Sequence, residues 1–265
     1  MDHQEIEELV ERLAGYNAAY RAGRPEISDR AYDDLVESLR DVAPEHPYLH
    51  TVEAEVLKSS GTVRHKVRML STEKAYTQDE LTRFVARVEK AAESIGRTTR
   101  YRVTPKLDGM AGKDENGVLA SRGNGLVGND ITHIFDRGVV PVGGRGLGPG
   151  EIVMVLSYFK DEFADEFEHP RNMVTGVVNA DEINESSKLA LADGMIRFVP
   201  YIGMKAWEGT GAELLDQIEQ ITHDLAQIDY PLDGMVAEAT DPELKAHMGA
   251  TSHHHRWQIA IKTRG

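Results

Sequence analysis

Lys106-Leu107-Asp108-Gly109 follows a short run of strand character, Tyr101-Arg102-Val103-Thr104, and sets a carboxylate two residues after an amine. A lysine held at a strand end can attack phosphorus; the aspartate helps organise a metal or a ribose, and the glycine lets a phosphate approach the backbone. Four residues of this kind recur by chance, so the string gains its weight from others downstream. Ser121-Arg122-Gly123-Asn124-Gly125, Gly150-Glu151, His169-Pro170-Arg171-Asn172, Asp233-Gly234 and Arg256-Trp257 followed by Lys262 are that company. Four cations (Lys106, Arg122, Arg171 and Lys262) and a few acids suit a substrate carrying a triphosphate or a pyrophosphate. A free lysine titrates at about 10.4, so only about one in a thousand is neutral near pH 7.4, and crowding by other cations favours the attacking neutral form.

These groups need a scaffold. Ile6, Leu9, Val10, Leu13, Tyr16 and Tyr20 recur at helical spacing over residues 5–22, and Gly23 and Pro25 stop that helix. Ser28 or Asp29 caps a second helix carrying Tyr32, Leu35, Val36 and Leu39, ended by Pro44. The polar stretch 53–66 reads as a linker. Thr77-Gln78-Asp79-Glu80 is a capping-box pattern that opens a third helix through Leu81, Phe84, Val85 and Val88. After Arg100 the pattern changes to short strands, with a hairpin signal at Asn116-Gly117. Further strands are expected over Ile152–Tyr158, Met195–Tyr201, Gly234–Ala239 and Trp257–Lys262, and a helix over Gly211–Ile228. Gly143–Gly150 is a glycine-rich loop. The expected architecture is α+β, a small helical domain and then a larger domain with a mostly antiparallel sheet.

Composition narrows the function classes. With 265 residues, 40% hydrophobic and 28% charged, the chain can bury a proper core. It has no apolar run near the roughly 18 residues of a membrane helix, and its first residues lack a signal-like stretch. The absence of cysteine excludes disulfides, thiolate zinc sites and cysteine nucleophiles, and fits a cytosolic protein. A net charge of −14 opposes tight binding of nucleic acid by this chain alone.

Two motifs have plainer readings. Gly123-Asn124-Gly125-Leu126-Val127-Gly128 matches G-x-G-x-x-G, yet the strand before it is the return arm of a hairpin and no β-α-β unit follows. Its glycines instead fit a tight turn that aims Arg122 at an anion. His253-His254-His255 reads as a surface loop, since neighbouring strand residues point to opposite faces.

Taken in order, these segments resemble the adenylation module of NAD-dependent DNA ligases, within the covalent nucleotidyltransferase superfamily, over nearly the whole chain. The family's K-x-D-G stands as Lys106–Gly109, and its T-R-G-D-G as Ser121-Arg122-Gly123-Asn124-Gly125. G-E-D-V-T becomes Gly128-Asn129-Asp130-Ile131-Thr132, R-G-E-V becomes Pro149-Gly150-Glu151-Ile152, and N-P-R-N becomes His169-Pro170-Arg171-Asn172. I-D-G-V-V becomes Leu232-Asp233-Gly234-Met235-Val236, and the final R-W-A-I-A-F-K ends at Lys262. Met69-Leu70-Ser71 resembles part of P-M-L-S-L. Members that use NAD+ carry an extra helical module with a tyrosine-histidine pair, then P-x-I-x-D-x-x-Y-D. Here Tyr20-Arg21 is followed by Pro25-Glu26-Ile27-Ser28-Asp29-Arg30-Ala31-Tyr32-Asp33, whereas ATP-dependent relatives lack the module.

The resemblance implies a nicotinamide mononucleotide-binding domain over residues 1–62 and a nucleotidyltransferase domain over residues 63–265, in an ATP-grasp-like ligase adenylation fold. It implies self-adenylation from NAD+, with Lys106, Asp108 and Lys262 catalytic, as the first step of DNA nick ligation. Tyr20, Arg21, Asp29, Tyr32, Asp33, Ser71, Thr104, Arg122, Glu151, Arg171 and Glu238 would contact the dinucleotide, and Asp108 with Glu151 would meet Mg²⁺. Nicked DNA would be held by further domains or a second subunit, in the cytoplasm of a bacterial or phage-infected cell. Two rival readings stay open: an inactive relative serving as a binding module, and an ATP- or GTP-using nucleotidyltransferase. Departures from the common bacterial pattern suggest a divergent branch, with a viral one among the candidates. Arg21 replaces histidine, Thr104 a glutamate, Asn179 an arginine and Glu238 a lysine.

Overall fold

Two antiparallel-rich sheets and a helical front end make up the protein, seen here in a computed structural model that describes residues 1–21, 26–49, 61–163, 165 and 169–262, without the side chains of Tyr20, Arg21 and Asp29. Helices α1 (His3–Arg21) and α2 (Asp29–Val42) close on a small core of Leu9, Leu13 and Leu39. Ser28 caps α2 as expected, its hydroxyl accepting the Ala31 N–H at 3.1 Å.

Part of the stretch expected to be a linker is structural. Residues 53–60 lie outside the described residues, but Thr62–Arg64 form β1, antiparallel to β6 (Val127–Asn129). The boundary expected between residues 62 and 63 therefore falls inside a strand. A polar composition hid it, because β1 is a short two-stranded pairing and the residue behind it, His65, is buried yet polar, with Nε2 2.9 Å from the Ser121 carbonyl oxygen.

The first large sheet has the order β10 (Trp207–Gly209), β3 (Tyr101–Leu107), β11 (Leu232–Ala239), β12 (His254–Lys262), β2 (Ser71–Ala75). All its pairings are antiparallel except β12 with β2. One face packs Tyr101, Val103, Met235, Ala237 and Ile259 against α3 (Gln78–Ser94), which supplies Leu81, Phe84 and Val88, and against a later helix, Gly211–Leu225. Strand alternation turns the next residues to the opposite face: Arg102, Thr104 and Lys106 on β3, Val236 and Glu238 on β11, Gln258, Ala260 and Lys262 on β12, and Lys74 on β2. Thr77 caps α3 by accepting the Glu80 N–H, as the sequence pattern requires.

The second sheet runs β5 (Val118–Ser121), β4 (Met110–Glu115), β8 (Gly148–Met154), β9 (Ile196–Pro200), β7 (Val140–Pro141). Asn116-Gly117 joins β4 to β5 with both φ values positive, the hairpin turn expected. The strand expected over Ile152–Tyr158 stops at Met154, and Leu156–Glu162 is a helix. Phe159 and Phe163, four apart, both bury in the second core, and Asp229 accepts from the N–H and hydroxyl of Ser157. The helix expected to reach Ile228 ends at Leu225. The surface loop expected at His253-His254-His255 is not what forms: His254 and His255 open β12, only His253 precedes it, and the His255 ring stacks 4.5 Å from Trp257. Strand follows hairpin around the G-x-G-x-x-G string, so no dinucleotide β-α-β unit forms there.

Gly109 links β3 to β4 where a Cβ would lie 2.0 Å from the Ile152 carbonyl oxygen. Its small size brings the two sheets together. Gly234 has φ 145°, and a Cβ there would lie 2.1 Å from the Ile261 carbonyl oxygen, between Lys106 and Lys262 in the strand register. Gly234→Ala is expected to lower stability by roughly 2 kcal/mol or more, read as an earlier denaturant midpoint with unchanged slope.

Candidate active site

Lys106 ends β3 on the open face of the first sheet, beside the junction with the second. Its Nζ lies 3.1 and 3.0 Å from the two carboxylate oxygens of Asp233. Lys262, at the end of β12, donates to the same carboxylate at 2.6 Å. The register explains the meeting: Gly234 on β11 is opposite Lys106 on one side and Lys262 on the other, and the irregularity between Leu232 and Gly234 swings Asp233 to both. Burial pushes the Asp233 carboxyl up, but the two ammonium groups more than reverse this and hold it below the usual carboxylate range.

Asp108, one residue past β3, is held from the other side. Arg171 Nη1 reaches Asp108 Oδ1 at 3.0 Å, and His169 Nε2 reaches Oδ2 at 3.0 Å. Both partners come from the start of the helix Pro170–Asn179, where His169 Nδ1 also accepts the Arg171 N–H at 3.0 Å. Glu151 on β8 is buried and accepts the Tyr201 hydroxyl at 2.5 Å. Burial raises its pKa to about 7, against opposing pulls from that hydrogen bond, Lys106, Arg122 and the Gly109 N–H.

Arg122 belongs to the turn after β5. His65 Nε2 lies 2.9 Å from the Ser121 carbonyl oxygen and 3.2 Å from that of Arg122, while the N–H of Met69 donates to the Gly125 carbonyl at 2.9 Å. The segment after β1 therefore fixes the turn that brings this cation to Glu151. The expected tight turn forms, with Gly123 and Gly125 at positive φ, and its support comes from a stretch that sequence reading left as linker.

The other expected residues are spread more widely. Thr104 and Glu238 lie farther along the same sheet face, Glu238 opposite Arg102 on one side and Gln258 on the other. Ser71 is engaged in structure, its hydroxyl donating to the His253 carbonyl at 3.0 Å. Tyr32 and Asp33 lie on α2, with the Tyr32 hydroxyl 3.2 Å from that of Tyr48. The side chains of Tyr20, Arg21 and Asp29 lie outside the described residues. The front end docks through Glu37 on α2: Ser252 Oγ donates to its two oxygens at 2.9 and 3.0 Å, and His253 Nε2 lies 2.5 Å from Oε2.

The expected metal pair is already engaged. Asp108 is occupied by Arg171 and His169, Glu151 by Tyr201, and among the described residues no cluster of three or more His, Cys, Asp or Glu gathers to hold an ion. Asp233, Tyr201, His169 and His65 were not among the expected site residues. Asp233-Gly234 and His169-Pro170-Arg171-Asn172 were the visible signals, whereas Tyr201 and His65 act through contacts made across distant segments.

Glu151 keeps its proton in the folded chain at pH values where an unfolded glutamate, at 4.5, has lost it. The native state then binds more protons than the unfolded state, so stability falls as pH rises from 4.5 toward about 7. The shift corresponds to about 3 kcal/mol. Glu151→Gln is expected to resist denaturant better than the parent at pH 8, with the difference closing toward pH 4.5 in paired urea titrations.

Comparison with known proteins agrees with this geometry. The family model of the NAD-dependent DNA ligase adenylation domain matches residues 58–137. The DNA ligase of Desulfatibacillum aliphaticivorans is 55% identical over 266 residues, covering 100% of this chain and 42% of that protein. That of Psychromonas ingrahamii is 42% identical, covering 96% of this chain and 40% of its own length, and that of Clostridioides difficile is 27% identical, covering 97% and 45%. The chain thus spans less than half the length of these relatives. The Lys106–Asp233–Lys262 cluster and these likenesses together place it: the chain belongs to the family of NAD-dependent DNA ligase adenylation domains.

Proposed function

We propose that this chain takes AMP from NAD+ onto Lys106 and releases nicotinamide mononucleotide, as the first step in sealing nicked DNA. The observation that carries the reading is the amine of Lys106 at a strand end, held by a carboxylate that Lys262 shares. In the reaction the Lys106 nitrogen forms a bond to the α-phosphorus while the bridging P–O bond breaks. The bond pair leaves on the phosphate of the mononucleotide, and the nitrogen's protons pass to solvent. Lys262 and Arg122 offset charge on the phosphates. Tyr32 and Asp33, with Tyr20, Arg21 and Asp29, are assigned to the mononucleotide half.

Among the described residues the side chains do not form a protein-held Mg²⁺ site, so no step is routed through the ion. Nick recognition is assigned to parts outside this chain, because its charge of −14 repels a polyanion.

Incubation with NAD+ in magnesium-containing buffer is expected to add the mass of one AMP, and Lys106→Ala is expected to add none. An unchanged intact mass in a folded parent sample overturns the reading, and equal labelling by ATP favours a nucleotidyltransferase of the other cofactor class.

Glu238 is assigned to the adenine. A glutamate accepts hydrogen bonds where a lysine cannot, and here the side chain shares the open sheet face with Thr104. An unmade bond in a buried site costs about 1–3 kcal/mol, or roughly 5- to 150-fold in rate. NAD+ is therefore expected to react faster than its hypoxanthine analogue by that margin, and Glu238→Gln to remove the preference. Equal rates for both dinucleotides in the parent end the assignment.

A further inference from the structure

Lys74 takes no part in the chemistry described above, yet it faces the same place. It lies on β2 directly beside Ala260 of β12, while its neighbour Ala75 lies beside Ile261 and packs into the core. The alternation turns Lys74 to the face that carries Lys262 and Lys106. Among the described residues its ammonium has no hydrogen-bond or ion-pair partner, although the side chain is half-buried. Burial first, then the charges of Lys262, Arg30 and Lys106, lower its pKa, and Asp233 alone opposes them.

Arg30 reaches this place from the other module. It rides on α2 and its guanidinium lies over the Tyr76 ring, 5.3 Å from the centroid, with Nη1 bonded to the Tyr76 hydroxyl. Tyr76 follows directly on β2, so the contact pins α2 to the strand that carries Lys74. Its Asp34 partner is 4.0 Å away on an exposed surface, a pairing too weak to neutralise it. Three cations from two modules, Lys262, Arg30 and Lys106, thus bear on Lys74 with Asp233 as the opposing charge, inside a chain whose overall charge is −14. Like charges gathered at a partly buried site repel each other, and a polyvalent anion relieves the repulsion.

We propose that Lys74 and Arg30 form an anion subsite that receives the phosphate of the departing mononucleotide. The inference rests on the function proposed above and names one contact within it. Lys106 and Lys262 serve the phosphorus under attack, while Lys74 and Arg30 lie on the side of the helical module, to which the mononucleotide is assigned. As the bridging P–O bond breaks, the oxygen on that phosphate gains the bond pair, and the two cations stabilise charge that is larger in the product than in the substrate. The subsite bridges the modules, so the anion itself cross-links them.

The test compares two probes, nicotinamide mononucleotide and nicotinamide riboside, which differ only by the phosphate. Binding of each to the AMP-carrying parent chain, to Lys74→Met, to Lys74→Arg and to Arg30→Gln is measured by calorimetry, with thermal melts to confirm folding. The parent is expected to prefer the mononucleotide by roughly 10- to 150-fold, the worth of a charge-assisted hydrogen bond. Lys74→Met and Arg30→Gln are expected to lose most of that preference while binding the riboside as the parent does. Lys74→Arg, which keeps the charge, is expected to retain it. Should Lys74→Met fail to fold, Arg30→Gln carries the comparison. A preference that is absent in the parent, or undiminished in the folded variants, overturns the subsite. Intact mass separates this from the broader reading: a parent that takes no AMP from NAD+ fails the proposed function itself, whereas one that does, with the preference unchanged in both variants, fails only the subsite.

Discussion

One carboxylate organises the centre of this molecule. Asp233 stands at an irregularity in β11 and is shared by the lysines ending the two strands on either side. The arrangement requires a backbone that passes close to its neighbour, which Gly234 supplies, and a sheet whose register puts two amines level. A carboxylate between two ammonium groups keeps both in place before any phosphate arrives, and it leaves the cations in excess. The site is therefore preorganised for anions and electrostatically incomplete without one.

The remaining polar groups are graded by how tightly they are held. Asp108 is fixed from a helix start by an arginine and a histidine. Glu151 is buried deeply enough that its proton is retained near neutrality, a cost that an ordinary surface carboxylate does not carry. Arg122 is steadied through its backbone by His65, a group from a segment with almost no apolar character. Local rigidity here comes from hydrogen bonds at the rim, and global stability from two separate apolar cores behind the sheets.

Much of this was legible in the residues themselves. The lysine at a strand end, the capping threonine at Thr77, the hairpin at Asn116-Gly117 and the two front helices follow from local rules of spacing and turn chemistry. The apolar run from Ile152 was ambiguous, because short hydrophobic stretches suit a strand or a helix; the four-residue spacing of Phe159 and Phe163 decided for the helix. Asp233, His65 and Lys74 were harder, since their meaning depends on cross-strand register and on contacts between segments more than fifty residues apart. A polar residue in a polar stretch carries no periodic signature.

Strand β12 joins two tasks at its opposite ends. Lys262 closes it near the Lys106 amine, and the residues just before it, Ser252 and His253, receive Glu37 of the helical front end. A slip of one residue would turn Lys262 into the apolar core and carry the docking loop about 3.3 Å along the sheet. Both half-sites would be lost together. The pairing of β12 with β11 and β2 therefore acts as a shared gauge, so that no folded version has the surroundings of Lys106 correct while the front end is seated in the wrong place.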